Sequence, residues 1–186
     1  MIIIVARYNE DINWTKQLPN VLICNKGDKL NIDNELLMDN VGREGHTYYK
    51  YIYDNYDNLD DYIIFLQGNP FDHSPNIIED LQTYIHNKDL NINFEYLSKW
   101  IVPCNLNGCK FHKDLPLKQV YKFLFGHIPD NLDFTFGAGA QFIVSKKQIQ
   151  KRPKIFYLKL VKLLDRTINP IAGYVIERFH NLIFSD

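Results

Sequence analysis

Three short apolar runs, none interrupted by a polar residue, mark the first part of the chain. They are Ile2–Ala6, Val21–Cys24 and Tyr62–Leu66. Runs this short, and rich in β-branched or aromatic residues, are typical of strands that are buried on both faces. Such strands occur mainly in parallel sheets covered by helices on both sides, so the pattern predicts a mostly parallel sheet.

Helical patterns alternate with these runs. Apolar spacing, proline positions and capping residues predict helical segments at Asp11–Leu18, Glu44–Tyr56, Pro75–His86, Leu117–Phe125 and Ile171–Phe184. Ser145 and Gln148 form a capping box for one more helix, which Pro153 interrupts or restarts. The alternation predicts an α/β fold: a single domain over residues 1–186, with a central mixed, mostly parallel sheet flanked by helices.

The middle of the chain has a weaker pattern. Asn87–Asp114 is rich in Asn and Lys with little periodicity, so we expect loops there and one possible strand at Trp100–Val102. A further strand is expected at Gln141–Val144. The small residues between Asp133 and Gln141 indicate that the backbone passes close to a ligand or is tightly packed internally.

Composition excludes several classes of protein. Hydrophobic residues make up 46% and charged residues 23% of the chain, as in ordinary globular proteins. The 21 Lys and Arg nearly balance the 22 Asp and Glu, without a basic block, which argues against a nucleic-acid partner. No apolar run approaches the ~20 residues that span a bilayer. The odd number of cysteines, 3, favours reduced thiols and a cytoplasmic location.

Polar side chains follow each of the three apolar runs. Arg7, Tyr8, Asn9 and Glu10 follow the first run, Lys26 follows the second, and Gln67, Asn69 and Asp72 follow the third. Ligands of open α/β sheets bind beyond the carboxyl ends of parallel strands, where these side chains would meet. The sequence therefore predicts one polar site that offers cations, amides and carboxylates.

The segment Val41–His46 places Arg43 between two glycines at a predicted helix start. Free N–H groups at a helix N-terminus and the guanidinium fork both favour an anion such as phosphate. An ordinary loop with a solvated salt bridge is equally consistent with so short a pattern.

Two carboxylates are candidates for acid–base chemistry. Asp72, beside His73, suits a metal ligand or a base, although an Asp shortly before Ser-Pro is also typical of a turn. Glu177 precedes Arg178 in the last predicted helix. It is a candidate base if it faces a cleft, and a surface ion pair otherwise.

Cys104 and Cys109, with His112 close behind, resemble part of a zinc site. A structural zinc ion normally takes four ligands, and the fourth is not evident in the sequence. A glycine-containing loop with incidental thiols is the alternative.

Five blocks together resemble a known family. In chain order they are VARYNEDINW, NVGREGHTYYKYI, IIFLQGNPFDH, FGAGAQFIVSKKQI and GYVIERFHNLIF. They resemble an uncharacterised family of small domains from fungi and large DNA viruses. That family looks similar to the glycosyltransferase A-type fold, including a virus-encoded glycosyltransferase that uses nucleotide sugars. The blocks span nearly the whole chain.

The resemblance implies a nucleotide-sugar donor, a UDP-sugar, and a divalent cation, Mn²⁺ or Mg²⁺. The implied donor-binding residues are Arg7, Tyr8, Asn9, Glu10, Lys26, Arg43, Gln67 and Asn69. The implied acceptor-binding residues are His46, Gly139 and Gln141, with Asp72 as metal ligand and Asp72 and Glu177 as catalytic carboxylates. Gln67-Gly68-Asn69 stands where the fold usually has an Asp-x-Asp pair, so nearby cations are expected to share the neutralisation of the leaving group.

The expected function is transfer of a sugar from a nucleotide diphosphate donor to a hydroxyl of a glycan or protein. The expected location is the cytoplasm, that of the host if the protein is virus-encoded, without a membrane span. One alternative is a nucleotide-sugar binding module or hydrolase with little transferase activity. Another is a zinc-stabilised interaction domain.

Overall fold

The computed structural model describes residues 1–185 and confirms the predicted α/β fold. The strands are β1 (Ile2–Arg7), β2 (Val21–Asn25), β3 (Glu35–Leu37), β4 (Tyr62–Gln67), β5 (Phe94–Tyr96), β6 (Ile101–Asn105), β7 (Gly108–Cys109), β8 (Asp133–Gly137) and β9 (Phe142–Ser145). The central sheet has the order β3-β2-β1-β4-β9-β5; its pairs from β3 to β4 are parallel, and β9 runs antiparallel to both β4 and β5. A small antiparallel sheet has the order β7-β6-β8.

Six α-helices accompany the sheets in residues 1–185. They are α1 (Arg43–Asn55), α2 (Ile77–His86), α3 (Leu117–Phe125), α4 (Lys146–Ile149), α5 (Lys154–Leu164) and α6 (Ile171–Phe184). The predicted bounds of α3 and α6 are confirmed. As predicted, the Ser145 hydroxyl accepts the N–H of Gln148 and caps α4. None of the helices in the described part of the chain is both long and apolar enough to cross a membrane.

Alternation along the strands divides the core between the two faces of the central sheet. Ile4 joins the larger core, whereas its neighbours Ile3 and Val5 join the smaller one, because successive side chains of a strand point to opposite faces. The larger core contains residues of α1, α3, α5 and α6. The smaller core contains Ile77 and Leu81 of α2. Each face of the sheet is therefore covered, as the uninterrupted apolar runs predict.

Three local predictions are wrong. The segment 11–18 contains only a short 3₁₀ helix, Asn13–Gln17. Helix α2 begins at Ile77 rather than Pro75, because the Ser74 hydroxyl donates to the Leu97 carbonyl instead of capping the helix. The segment 87–114, where the sequence predicts one strand at residues 100–102, holds three: β6, which overlaps the expected strand, and also β5, which pairs with the distant β9, and β7, which has only two residues.

The small residues near Gly137 serve internal packing. A Cβ atom on Gly137 would lie 2.6 Å from the Tyr96 ring, so replacement by Ala forces the ring or the strand to move. Gly45 of α1 is different, because an added Cβ atom would make ordinary contacts with the side chains of Leu164 and Ile176, at 3.4 Å and 3.8 Å. We expect Gly137→Ala to lower the free energy of unfolding by ~1–3 kcal/mol. The matched Gly45→Ala should raise it by ~0.5–1 kcal/mol.

Urea denaturation of both variants measures these two changes. A Gly137→Ala variant as stable as the natural protein would contradict the tight packing of β8 on Tyr96.

Candidate functional site

A cleft of about 650 Å³ opens at the carboxyl ends of β1, β2 and β4. Strand β1 lies between β2 and β4: the chain runs from β1 to β2 and β3 on one side, and later adds β4 on the other side. A crevice forms at such a switch point, which is the usual ligand site of open α/β sheets. The predicted residues that line it are Arg7, Tyr8, Glu10, Lys26, Arg43, Gln67, Asn69 and Asp72.

Several other lining residues were not predicted. They are Ala6, Asn40, Glu44, Thr47, Gly68, Ile168 and Asn169. Glu44 and Thr47 lie one turn apart on α1, and the remaining ones belong to loops and to the end of β1. The loop that carries Ile168 reaches the start of α1, where the N–H groups of Gly42 and Arg43 donate to the carbonyls of Thr167 and Ile168.

Lys26 connects the end of β2 to the start of α1. Its Nζ donates to the carbonyl oxygens of Val41 and Arg43, at 2.5 Å and 2.6 Å. An ammonium group has three protons, so one remains to face the cleft. Burial lowers the pKa of Lys26 to about 8, although the negative charge of Glu44 acts to raise it. Lys26 is therefore a desolvated cation, and an anion in the cleft would increase its charged fraction.

Arg43 is held from several sides. Its guanidinium lies 4.3 Å above the Tyr174 ring, Nε is 3.5 Å from Glu44 Oε2, and Nη1 is 3.4 Å from Asn169 Oδ1. Its backbone has φ of 53°, next to Gly42 at 65°. The backbone N–H groups of Gly42 and Arg43 donate to the carbonyls of Thr167 and Ile168, so these two groups are not available to an anion and the side chain of Arg43 is the main candidate to bind one.

Arg7 has a mainly structural role. It is 8% exposed, and its guanidinium donates to the carbonyls of Tyr8, Glu10 and Asp28 and to Asn25 Oδ1. These bonds join the loops that follow β1 and β2. Arg7 does line the cleft, but its Nε and Nη1 already bind protein oxygens, so its predicted contact with a donor falls to Nη2.

Asn9, another predicted donor-binding residue, lies outside the cleft lining. Its Oδ1 accepts the N–H of Asp28 at 2.9 Å. Tyr8, by contrast, lines the cleft with 52% of its surface exposed. Its ring is therefore available to stack on a flat ligand group.

The carboxylates of the cleft do not fit a divalent ion held by the protein alone. Glu10 Oε2 accepts the N–H of Tyr8, and Glu44 faces Arg43. Asp72 lines the exposed mouth. Within residues 1–185, no group of three or more His, Cys, Asp or Glu side chains is arranged to hold a metal. Hard divalent cations take six or more oxygen ligands, many of them carboxylates.

The predicted acceptor residues do not line the cleft. His46 is 5% exposed, and burial lowers its pKa to about 4. Gln141 is fully buried and donates to the Pro70 carbonyl. A Cβ on Gly139 would lie 2.6 Å from the His73 ring, so this backbone is packed against protein. The expectation that these residues contact an acceptor is wrong for this structure, because packing already occupies them.

Glu177 also lies outside the cleft lining, contrary to the prediction that it faces the site. Its Oε1 accepts the N–H of Gly139 at 2.9 Å, and its Oε2 lies 3.4 Å from Arg178 Nη1. The carboxylate is therefore engaged in holding α6 to the segment after β8.

The zinc alternative is not supported. Cys104 and Cys109 lie opposite each other on β6 and β7, with Cα atoms 4.7 Å apart, and form a disulfide. His112 instead packs on Tyr174, with ring centroids 4.9 Å apart. The expectation of reduced thiols is wrong for this pair, because antiparallel pairing brings the two residues together. Cys24 is a free, buried thiol.

Comparison with known proteins gives one match. The family described as "Protein of unknown function (DUF3431)" matches residues 2–186. No curated protein and no solved structure matches the chain.

Proposed function

The chain belongs to the DUF3431 family, and we propose that it is a glycosyltransferase that moves a sugar from a UDP-sugar to an acceptor hydroxyl. The observation that carries the proposal is the placement of Lys26 and Arg43 in one cleft at the switch point of a parallel sheet. Two cations in a partly desolvated cleft suit a diphosphate, because a charged hydrogen bond is stronger there than in water.

The other cleft residues supply contacts that a nucleotide sugar needs. The exposed ring of Tyr8 offers a platform for the base. Gln67, Asn69 and Asn40 offer amides that can donate to and accept from sugar hydroxyls. A volume of about 650 Å³ lies within the range of small-molecule sites, ~300–1,000 Å³.

The leaving diphosphate gains negative charge as the sugar–oxygen bond breaks. Lys26 and Arg43 stabilise that charge electrostatically, since they are held in place before the reaction by Val41, Tyr174 and Asn169. The protein groups perform this role in the proposal without a step through a metal ion.

A nucleotide-sugar hydrolase, or a module that only binds, is the second candidate. Two observations favour it: Glu10 Oε2 already accepts the N–H of Tyr8, and no pair of carboxylates follows the strand at Gln67. In that case water takes the place of the acceptor, and the same cleft binds the donor.

The test is release of UDP from UDP-glucose, UDP-galactose and UDP-N-acetylglucosamine, with Mn²⁺ or with a chelator, and with or without sugar acceptors. We expect release that an acceptor stimulates and that persists in the chelator. Release that no acceptor stimulates would support the hydrolase, and binding without release the module. If the protein binds none of these donors and releases no UDP from them, the proposal is wrong.

Replacement of Arg43 by Ala should weaken UDP binding by ~1.5–3 kcal/mol, because a charged hydrogen bond to phosphate is lost. Titration calorimetry measures the change. Arg166→Ala is the matched control, since it removes an exposed guanidinium from the neighbouring loop without altering the cleft lining. Equal affinities for the two variants would remove Arg43 from the site.

A further inference from the structure

Glu44 and Thr47 line a part of the cleft that has no role in the donor contacts proposed above. Both line the cavity from the first two turns of α1. The Glu44 side chain is 13% exposed. Thr47 is fully buried, yet its Oγ1 has no hydrogen-bond partner within the described residues. A buried hydroxyl without a partner costs ~1–3 kcal/mol, so a ligand that supplies one is favoured at this place.

The other carboxylates of the region are less suited to proton transfer. Asp72 is exposed at the mouth. Glu10 Oε2 accepts the N–H of Tyr8. A Cβ atom added to Gly68 would lie 2.6 Å from the same oxygen, so this carboxylate is packed against the backbone after β4. Glu177 lies outside the lining. Glu44 is the carboxylate that is partly desolvated and still lines the cavity.

We propose that Glu44 is the general base that accepts the proton of the acceptor hydroxyl, and that Thr47 hydrogen-bonds the same acceptor. The inference rests on the proposed transferase function and names the acceptor as a neutral alcohol. The acceptor O–H proton passes to a Glu44 oxygen while the acceptor oxygen bonds to the anomeric carbon. The bond from that carbon to the diphosphate breaks, and its electron pair stays on the diphosphate oxygen, near Lys26 and Arg43.

The charges around Glu44 support this role. Burial raises the pKa of Glu44, and Glu177 on α6 adds to the rise, whereas Arg43 and Lys26 oppose it. Burial raises the pKa of Tyr48, one turn along α1, and the charge of Glu44 adds to that rise. The pKa of Lys26 is lowered by burial. Opposite shifts on neighbouring groups in a cleft are typical of sites that transfer protons.

The test compares Glu44→Gln with the control Glu79→Gln, an exposed carboxylate of α2. The donor is the UDP-sugar of the panel that gives the highest rate. We expect Glu44→Gln to lower kcat by ~100-fold or more, a far larger effect than the change in the Kd of UDP that follows from losing the charge beside Arg43 and Lys26. Azide needs no base, so it should accelerate Glu44→Ala and leave the natural protein unaffected.

Thr47→Val keeps the shape of the side chain and should raise the KM of the acceptor by ~5-fold, as expected for one lost hydrogen bond. This variant provides the test if Glu44→Gln does not fold. Unchanged kcat in Glu44→Gln, a slow Glu44→Ala that azide does not rescue, or an unchanged acceptor KM in Thr47→Val would overturn the inference. Absence of UDP release by the natural protein would instead overturn the proposed function itself.

Discussion

Lys26→Met is expected to weaken UDP binding by roughly 100-fold, about 2.7 kcal/mol. The substitution keeps most of the length of the side chain and removes its charge. It also removes the bonds from Nζ to the carbonyls of Val41 and Arg43. The segment that places Arg43 is then less constrained, so the loss exceeds that of a single phosphate contact.

The pH dependence gives a second readout of Lys26. Because its pKa is about 8, the charged fraction falls as pH rises through that value, and UDP affinity should fall with it. The charge of Glu44 acts to raise the pKa of Lys26, and the charge of Lys26 contributes, after burial, to the lowered pKa of His46. The diphosphate of UDP keeps a nearly constant charge above pH ~7, since its last phosphate pKa lies near ~6.

Titration calorimetry at pH 7 and pH 8.5, where the uracil ring stays mostly neutral, measures both effects. Lys118→Met, an exposed lysine of α3, is the matched control and should bind like the natural protein. A Lys26→Met variant that retains the affinity and the pH dependence of the natural protein would place the diphosphate elsewhere.

The second large effect is destabilisation in acid. Burial lowers the pKa of His46 to about 4 and that of His180 to about 3. In the unfolded chain both return to ~6.5. The unfolded state therefore takes up protons first as pH falls, so stability is complete above pH ~6.5 and decreases below it. Between pH 7.5 and pH 5 each histidine should cost ~2 kcal/mol of unfolding free energy.

Urea denaturation at the two pH values tests this expectation. His180 is fully buried, and its Nδ1 lies 2.6 Å from the Tyr49 hydroxyl. That partner is neutral, so it does not offset the charge that a protonated imidazole would carry there. His180→Gln should lose about half of the acid effect, whereas His127→Gln, at an exposed position, should lose none. An equally strong acid effect in His180→Gln would show that other groups cause it.

The central strands could be predicted because their burial leaves a strong local pattern. Ile2–Ala6 and Tyr62–Leu66 are apolar throughout, and both became neighbours in the sheet. The meeting of Lys26 and Asp72 followed from the geometry of parallel strands. By contrast, β5 and β7 have three and two residues, too few for a period to show.

The parts of the site that could not be predicted depend on long-range contacts. Arg43 meets Asn169, which lies 126 positions away, and no local signal announces that contact. Glu44 and Thr47 were missed because only the packing of α1 decides which of its faces borders the cleft. The sequence shows that Arg7 follows the first strand. It does not show that backbone carbonyls are the main partners of Arg7, because such partners carry no sequence signal.

A crystal structure of the protein with UDP, grown in a chelator, would show directly where the diphosphate binds. We expect the diphosphate within hydrogen-bond distance of Lys26 Nζ and the Arg43 guanidinium, with the uracil against the Tyr8 ring. UDP bound away from the carboxyl ends of β1, β2 and β4, or a cleft that remains empty at saturating UDP, would contradict this expectation.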